Sequence, residues 1–178
     1  YSFTIFGGAL YIFNLLSAMF AHGSIMHIFF NMYVLLMFGG ILEQRIGQRN
    51  FLLVYFSAGI LASILSSFFY QSALGASGAV MGILGALIIM MPNLQLLLFF
   101  AIPMPLWIAG IVILGIDIFS WIFGAGNIAN GAHVAGMLTG LAYGLYLKDK
   151  GGKTRRVYSG TQHLSRDDLD SYMRYGRL

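Results

Sequence analysis

The chain has 178 residues, enough for one domain. It is 58% hydrophobic and only 9% charged, with a mean hydropathy of +0.80, which excludes an ordinary soluble globule and points to a helical membrane protein. The absence of Cys excludes disulfides and thiolate metal sites. The net charge of +4 does not form a nucleic-acid patch, because Arg45 and Arg49 share one short loop and every other Lys and Arg follows Leu147.

Residues 1–24 are uncharged and apolar but broken by Gly7, Gly8, Asn14, Ser17 and Gly23. This composition suits a membrane-embedded loop, or a partial helix, better than a spanning helix. No charged stretch precedes it, so no cleaved signal peptide is expected. The first predicted helix covers 25–42, followed by a polar loop over 43–50. The second covers 51–70, and after a turn at 71–76 the third covers 77–91. Residues 94–105 are apolar, but Pro103 and Pro105 argue against a regular helix there. The fourth helix covers 106–123, a small-residue loop 124–130 and the fifth helix 131–147. From Lys148 onward the chain is polar, and Ser165 followed by Asp168 marks the cap of a short surface helix.

Lys and Arg favour the cytoplasmic side of a membrane. Five spans between Ile25 and Leu147 put the Arg45/Arg49 loop and the Lys148 tail on that side together. The segment before Ile25 and the loops 71–76 and 124–130, none with a Lys or Arg, then lie outside. The predicted architecture is an all-α polytopic bundle of five clear spans plus an N-terminal embedded loop or partial helix. It comprises a membrane domain at 1–147 and a cytoplasmic tail at 148–178, in the cell membrane. The lipid bilayer is the expected partner and nucleic acid is not.

The chemistry falls in one layer. At about 1.5 Å of helix rise per residue, Ser77 stands roughly 22 Å above Pro92 and His133 roughly 22 Å above Lys148. His27 and Asn31 stand roughly 24 and 18 Å above Glu43. Polar side chains at one depth inside a bilayer are costly and mark function. Ser77 opens its helix, where backbone N–H groups are free to hold an anion. Gly78 and Gly82 on its helix answer Gly136, Gly140 and Gly144 on the last, a spacing that lets two membrane helices approach backbone to backbone. Such an approach brings a serine nucleophile and a histidine base within reach. His27 and Asn31 are four apart on one helix face and suit a developing oxyanion. His22 lies off that face, as loop or support. No acid lies at this depth on the helices that carry Ser77, His133 or His27, so a Ser–His dyad is expected. Asp117 is read as a buried structural acceptor, or as a protonated acid, with a functional proton relay as the alternative. A metal site from His22, His27 and His133 is the rival; it lacks a carboxylate and an i,i+4 His pair, and neither metal nor cofactor is expected.

Four stretches occur in a telling order: His22-Gly-Ser-Ile-Met-His27-Ile-Phe-Phe-Asn31, Leu42-Glu43-Gln44-Arg45-Ile46-Gly47, Gly75-Ala-Ser77-Gly78 and Asn130-Gly-Ala-His133-Val-Ala-Gly136. The set, over roughly residues 13–147, resembles the rhomboid intramembrane serine proteases. The resemblance implies Ser77 as nucleophile and His133 as base. It implies His27, Asn31 and the Ser77 backbone N–H as the oxyanion site, and an embedded outer loop before His22. It implies an endopeptidase that cuts single-span membrane proteins near the outer face of the membrane. Cleavage would follow a small residue, with helix-weakening residues beyond. The chain departs from the family in having Met81 where an aromatic often packs on the base, and five spans where the family has six. The alternative is a non-catalytic protein that binds membrane helices on the same scaffold; a small transporter is a third reading.

Overall fold

The computed structural model describes residues 10–69, 74–98, 102–124 and 129–149. The tail from residue 150, with the predicted cap at Ser165, lies outside the described residues, as do residues 1–9 and parts of the predicted outer loops. The fold is helical. Helix α1 (Leu10–Ala18) precedes a long run, Ile25–Ile46, made of α2 (Ile25–Val34), a π-helical segment (Leu35–Gly39) and α3 (Gly40–Ile46). Then come α4 (Gln48–Phe69), α5 (Ser77–Met90), a hairpin of β1 (Gln95–Leu98) and β2 (Ile102–Pro105), α6 (Leu106–Phe123) and α7 (Asn130–Asp149).

The polar stretch at 43–50 is not a loop. Glu43, Gln44 and Arg45 are good helix formers and extend the run to Ile46. The reversal falls on Gly47, whose φ of +81° is readily adopted only by glycine and whose N–H closes on Glu43 O at 2.7 Å. Gln48 already begins α4. The region that Pro103 and Pro105 barred from helix forms an antiparallel hairpin, with Gln95 opposite Pro105 and Leu98 opposite Ile102. Ile102 and Met104 each precede a proline, which drives them to extended backbone. Helix α6 begins and ends where the sequence placed it: Pro105 stands at its start, and Gly124, at φ +64°, caps its end by donating its N–H to Ser120 O.

The segment before His22 contains α1, described from Leu10 to Ala18. Met19, 2% exposed, plugs the space left by the missing side chain of Gly59 on α4.

Helix α5 is the centre. Nine of its residues from Gly78 to Leu87 are buried, on all sides, as expected of a helix that is apolar all round. It packs between α4 and α7. A Cβ at Gly136 would collide with Gly78 O, and one at Gly140 with Gly82 O. The backbones of α5 and α7 therefore touch, as the glycine spacing anticipated.

Among the described residues, three helices are long and apolar enough to cross a membrane: Ile25–Ile46, Gln48–Phe69 and Leu106–Phe123. Helix α5 is apolar but has 14 residues. Helix α7 has 20 residues diluted by Gly, Thr and Asn. Helix length and apolarity thus identify three candidate spans among the described residues.

Candidate active site

Ser77 is the first residue of α5, half-buried. It is presented by a turn that only a glycine permits. Gly75 has φ +114°, and a Cβ there would stand 2.6 Å from His27 Cε1. The Gly75 N–H donates to Ala18 O at 2.8 Å, so the short outer helix holds the turn. Ser77 lines a small cavity together with Ser63, Ser66, Gly75, Ala129 and Ala132.

His133 lies in the first turn of α7, next to Ala132, whose carbonyl would be 3.6 Å from a Cβ on Gly78. The starts of α5 and α7 thus face each other, with the serine and the histidine on them. His133 Nδ1 is 3.1 Å from Asp117 Oδ1 on α6. Asp117 is 7% exposed. A carboxylate accepts, so it fixes the proton of neutral His133 on Nδ1 and leaves Nε2 as the basic nitrogen.

This contact adds to the sequence reading. Asp117 is a buried acceptor, as expected, but its partner is the histidine of the expected dyad, and it lies on α6, which carries none of Ser77, His133 and His27. Its estimated depth, roughly 18 Å against roughly 22 Å for His133, differs by less than one helical turn. That near-match was the available signal; the face that α6 turns toward α7 was not readable.

His27 occupies the first turn of α2, capped by Ser24 Oγ, which accepts its backbone N–H at 3.1 Å. Its ring lies over Gly75. Asn31 is buried, and its Nδ2 donates to His27 O at 2.9 Å. One amide hydrogen is therefore engaged within α2, and one is left for other use. His22 meets His27 edge to face at 5.1 Å between ring centroids. Its Nδ1 is 3.1 Å from Phe20 O, and its Nε2 accepts the Ala76 N–H at 3.5 Å. Among the described residues, no group of three or more His, Asp or Glu comes together as a metal-ligand set. Met81 packs against the core at the edge of the buried cluster.

The arrangement can be set beside known proteins. The family model of the Rhomboid domain matches residues 9–150. The chain is 29% identical over 152 residues to Rhomboid protein 1, mitochondrial, of Saccharomyces cerevisiae, covering 80% of this chain and 44% of that protein. It is 34% identical over 141 residues to the human Presenilin-associated rhomboid-like protein, mitochondrial, covering 74% of this chain and 37% of that one. It is 35% identical over 150 residues to Rhomboid protease GluP of Bacillus subtilis, covering 82% of this chain and 28% of that one. The chain thus spans less than half the length of these relatives. With the family model matched across most of its length, and with the serine and histidine motifs at the facing starts of α5 and α7, this chain belongs to the rhomboid family.

Proposed function

We propose that this chain is an intramembrane serine endopeptidase. The observation that carries the reading is His133, held through Nδ1 by a buried Asp117 beside the glycine-packed start of the Ser77 helix. In this reading neutral His133 takes the Ser77 hydroxyl proton on Nε2, and Ser77 Oγ attacks the carbonyl carbon of a substrate peptide bond. The oxyanion is held by His27, by the free amide hydrogen of Asn31 and by the Ser77 backbone N–H. The imidazolium returns its proton to the leaving amine. A water, deprotonated by His133, then hydrolyses the ester and regenerates Ser77. Asp117 keeps His133 in the productive tautomer and stabilises the imidazolium.

The substrates are single-span membrane proteins whose helix unwinds near the outer face, since helical backbone is internally paired in lipid. Five spans remain the proposed topology, with Arg45, Arg49 and the tail on the inner side. The membrane is a cell membrane, or a mitochondrial one if this chain follows the two relatives whose names say so.

The test is labelling with a fluorophosphonate, followed by cleavage of a model single-span substrate. Adduct at Ser77 alone, with cleavage lost in Ser77→Ala, is the expected result. Cleavage by Ser77→Ala equal to that of the unsubstituted chain overturns the assignment. A folded chain that neither labels nor cleaves, yet retains a membrane helix on co-purification, favours the non-catalytic alternative.

A further inference from the structure

His22 has no part in the chemistry just described, yet both of its ring nitrogens are engaged. Nδ1 faces Phe20 O at 3.1 Å. A carbonyl only accepts, so Nδ1 carries the hydrogen. In a neutral ring Nε2 is then a bare acceptor, and it faces the Ala76 N–H, which only donates, at 3.5 Å. One protonation state alone satisfies both contacts: neutral imidazole with its proton on Nδ1.

The amide it holds belongs to the residue immediately before Ser77. The preceding amide, that of Gly75, is held by Ala18 O at 2.8 Å. Two consecutive N–H groups of the turn that presents the serine are therefore gripped by one outer segment, residues 18–22. Met19, buried against Gly59, pins that segment to α4. The turn itself sits at a positive φ on Gly75 with the His27 ring over it. Glycine adopts that φ freely, so the shape of the turn is fixed by these contacts.

We propose that His22, neutral and protonated on Nδ1, is a positioning residue for Ser77, acting through the Ala76 amide; this rests on the reading of Ser77 as nucleophile. Protonation of His22 puts a hydrogen on Nε2, facing the Ala76 N–H, and the grip opens. The titratable group packed on His22 is His27 at 5.1 Å, which in turn lies within electrostatic reach of His133. The His133 imidazole is partnered by Asp117. A charge on His22 is thus met by another histidine.

The experiment compares the full chain with His22→Phe, which keeps a ring but no acceptor, and His22→Gln, which keeps an acceptor that does not titrate. Each is read by turnover from pH 5 to 8, by thermal midpoint in detergent, and by hydrogen exchange of the 74–77 amides. His22→Phe is expected to lose roughly ten- to hundredfold in turnover, the cost of a small misplacement of a reacting group. Its 74–77 amides exchange faster and its thermal midpoint stays close to that of the unsubstituted chain. His22→Gln is expected to keep most turnover, because its side-chain oxygen can still accept the Ala76 N–H. Full turnover in His22→Phe, or equal losses in both variants, overturns the proposal. Exchange is read without catalysis: faster exchange of 74–77 in His22→Phe in a chain that never labels at Ser77 keeps the grip and discards the protease reading. Unchanged exchange discards the grip.

Discussion

Asp117 Oδ1 stands 3.1 Å from His133 Nδ1, joining α6 to α7 near the start of α7. Both side chains are largely hidden from solvent, the histidine 14% exposed and the aspartate 10%. A carboxylate in that position does for an imidazole what a packed aromatic cannot: it selects the tautomer. Met81 packs against the core cluster, and in the proposed reading orientation of the base falls to Asp117.

Asp117→Asn is therefore expected to keep the fold and lower turnover by roughly 10²-fold or more, since the amide can donate to Nδ1 and stabilise the wrong tautomer. Fluorophosphonate labelling of Ser77 should slow in parallel. Turnover within twofold of the unsubstituted chain, at equal thermal midpoint, removes Asp117 from the mechanism.

Ser77→Ala and His133→Ala should each abolish cleavage and leave the thermal midpoint in detergent nearly unchanged. The serine change removes one hydroxyl from a site already lined by small residues. Because His133 must be neutral to accept a proton, activity is present at the alkaline end and is lost as pH falls through the histidine range. A rate that does not vary from pH 5 to 8 contradicts a histidine base.

Gly136→Ala should destabilise the protein. Its Cβ would collide with Gly78 O, and a backbone carbonyl cannot swing away as a side-chain end can. Forcing α5 and α7 apart should cost about 1–3 kcal/mol, seen as a lower thermal midpoint. Turnover per folded molecule should fall as well, because the same displacement separates Ser77 from His133. Gly115→Ala on α6, where a Cβ meets nothing within 4 Å, should have neither effect.

Asn31→Ala separates two roles. If its free amide hydrogen serves the oxyanion, turnover falls by about 10²–10³ at most, with slower but persistent labelling of Ser77 and an unchanged thermal midpoint. If Asn31 serves only to tie down the first turn of α2 through His27 O, the midpoint falls and turnover per folded molecule holds. Measuring both on one preparation decides which.

The helices, the glycine faces and the Ser77 and His133 motifs were all legible along the chain, because apolar periodicity, proline and glycine act locally. Predicted and observed bounds agree at α6 for that reason: Pro105 and Gly124 punctuate it. The turn at Gly47 and the hairpin at 95–105 needed finer local physics than hydropathy supplies. In the first, good helix formers carried the helix to the glycine; in the second, prolines forced extended backbone.

What no linear reading supplied was the facing of separate helices. Sequence spacing put Ser77, His133, His27 and Asn31 at one expected depth, since rise per residue is the same in any helix. It also determined that α5 and α7 touch, since only glycines at that spacing permit such an approach. Rotation of one helix about its axis is a different matter. It is decided by packing against several neighbours at once, and only the tertiary structure turned Asp117 toward His133 and brought His22 to the amide of Ala76. Both contacts cross long stretches of sequence and depend on the docking of α6 and of the outer segment, which no local pattern encodes.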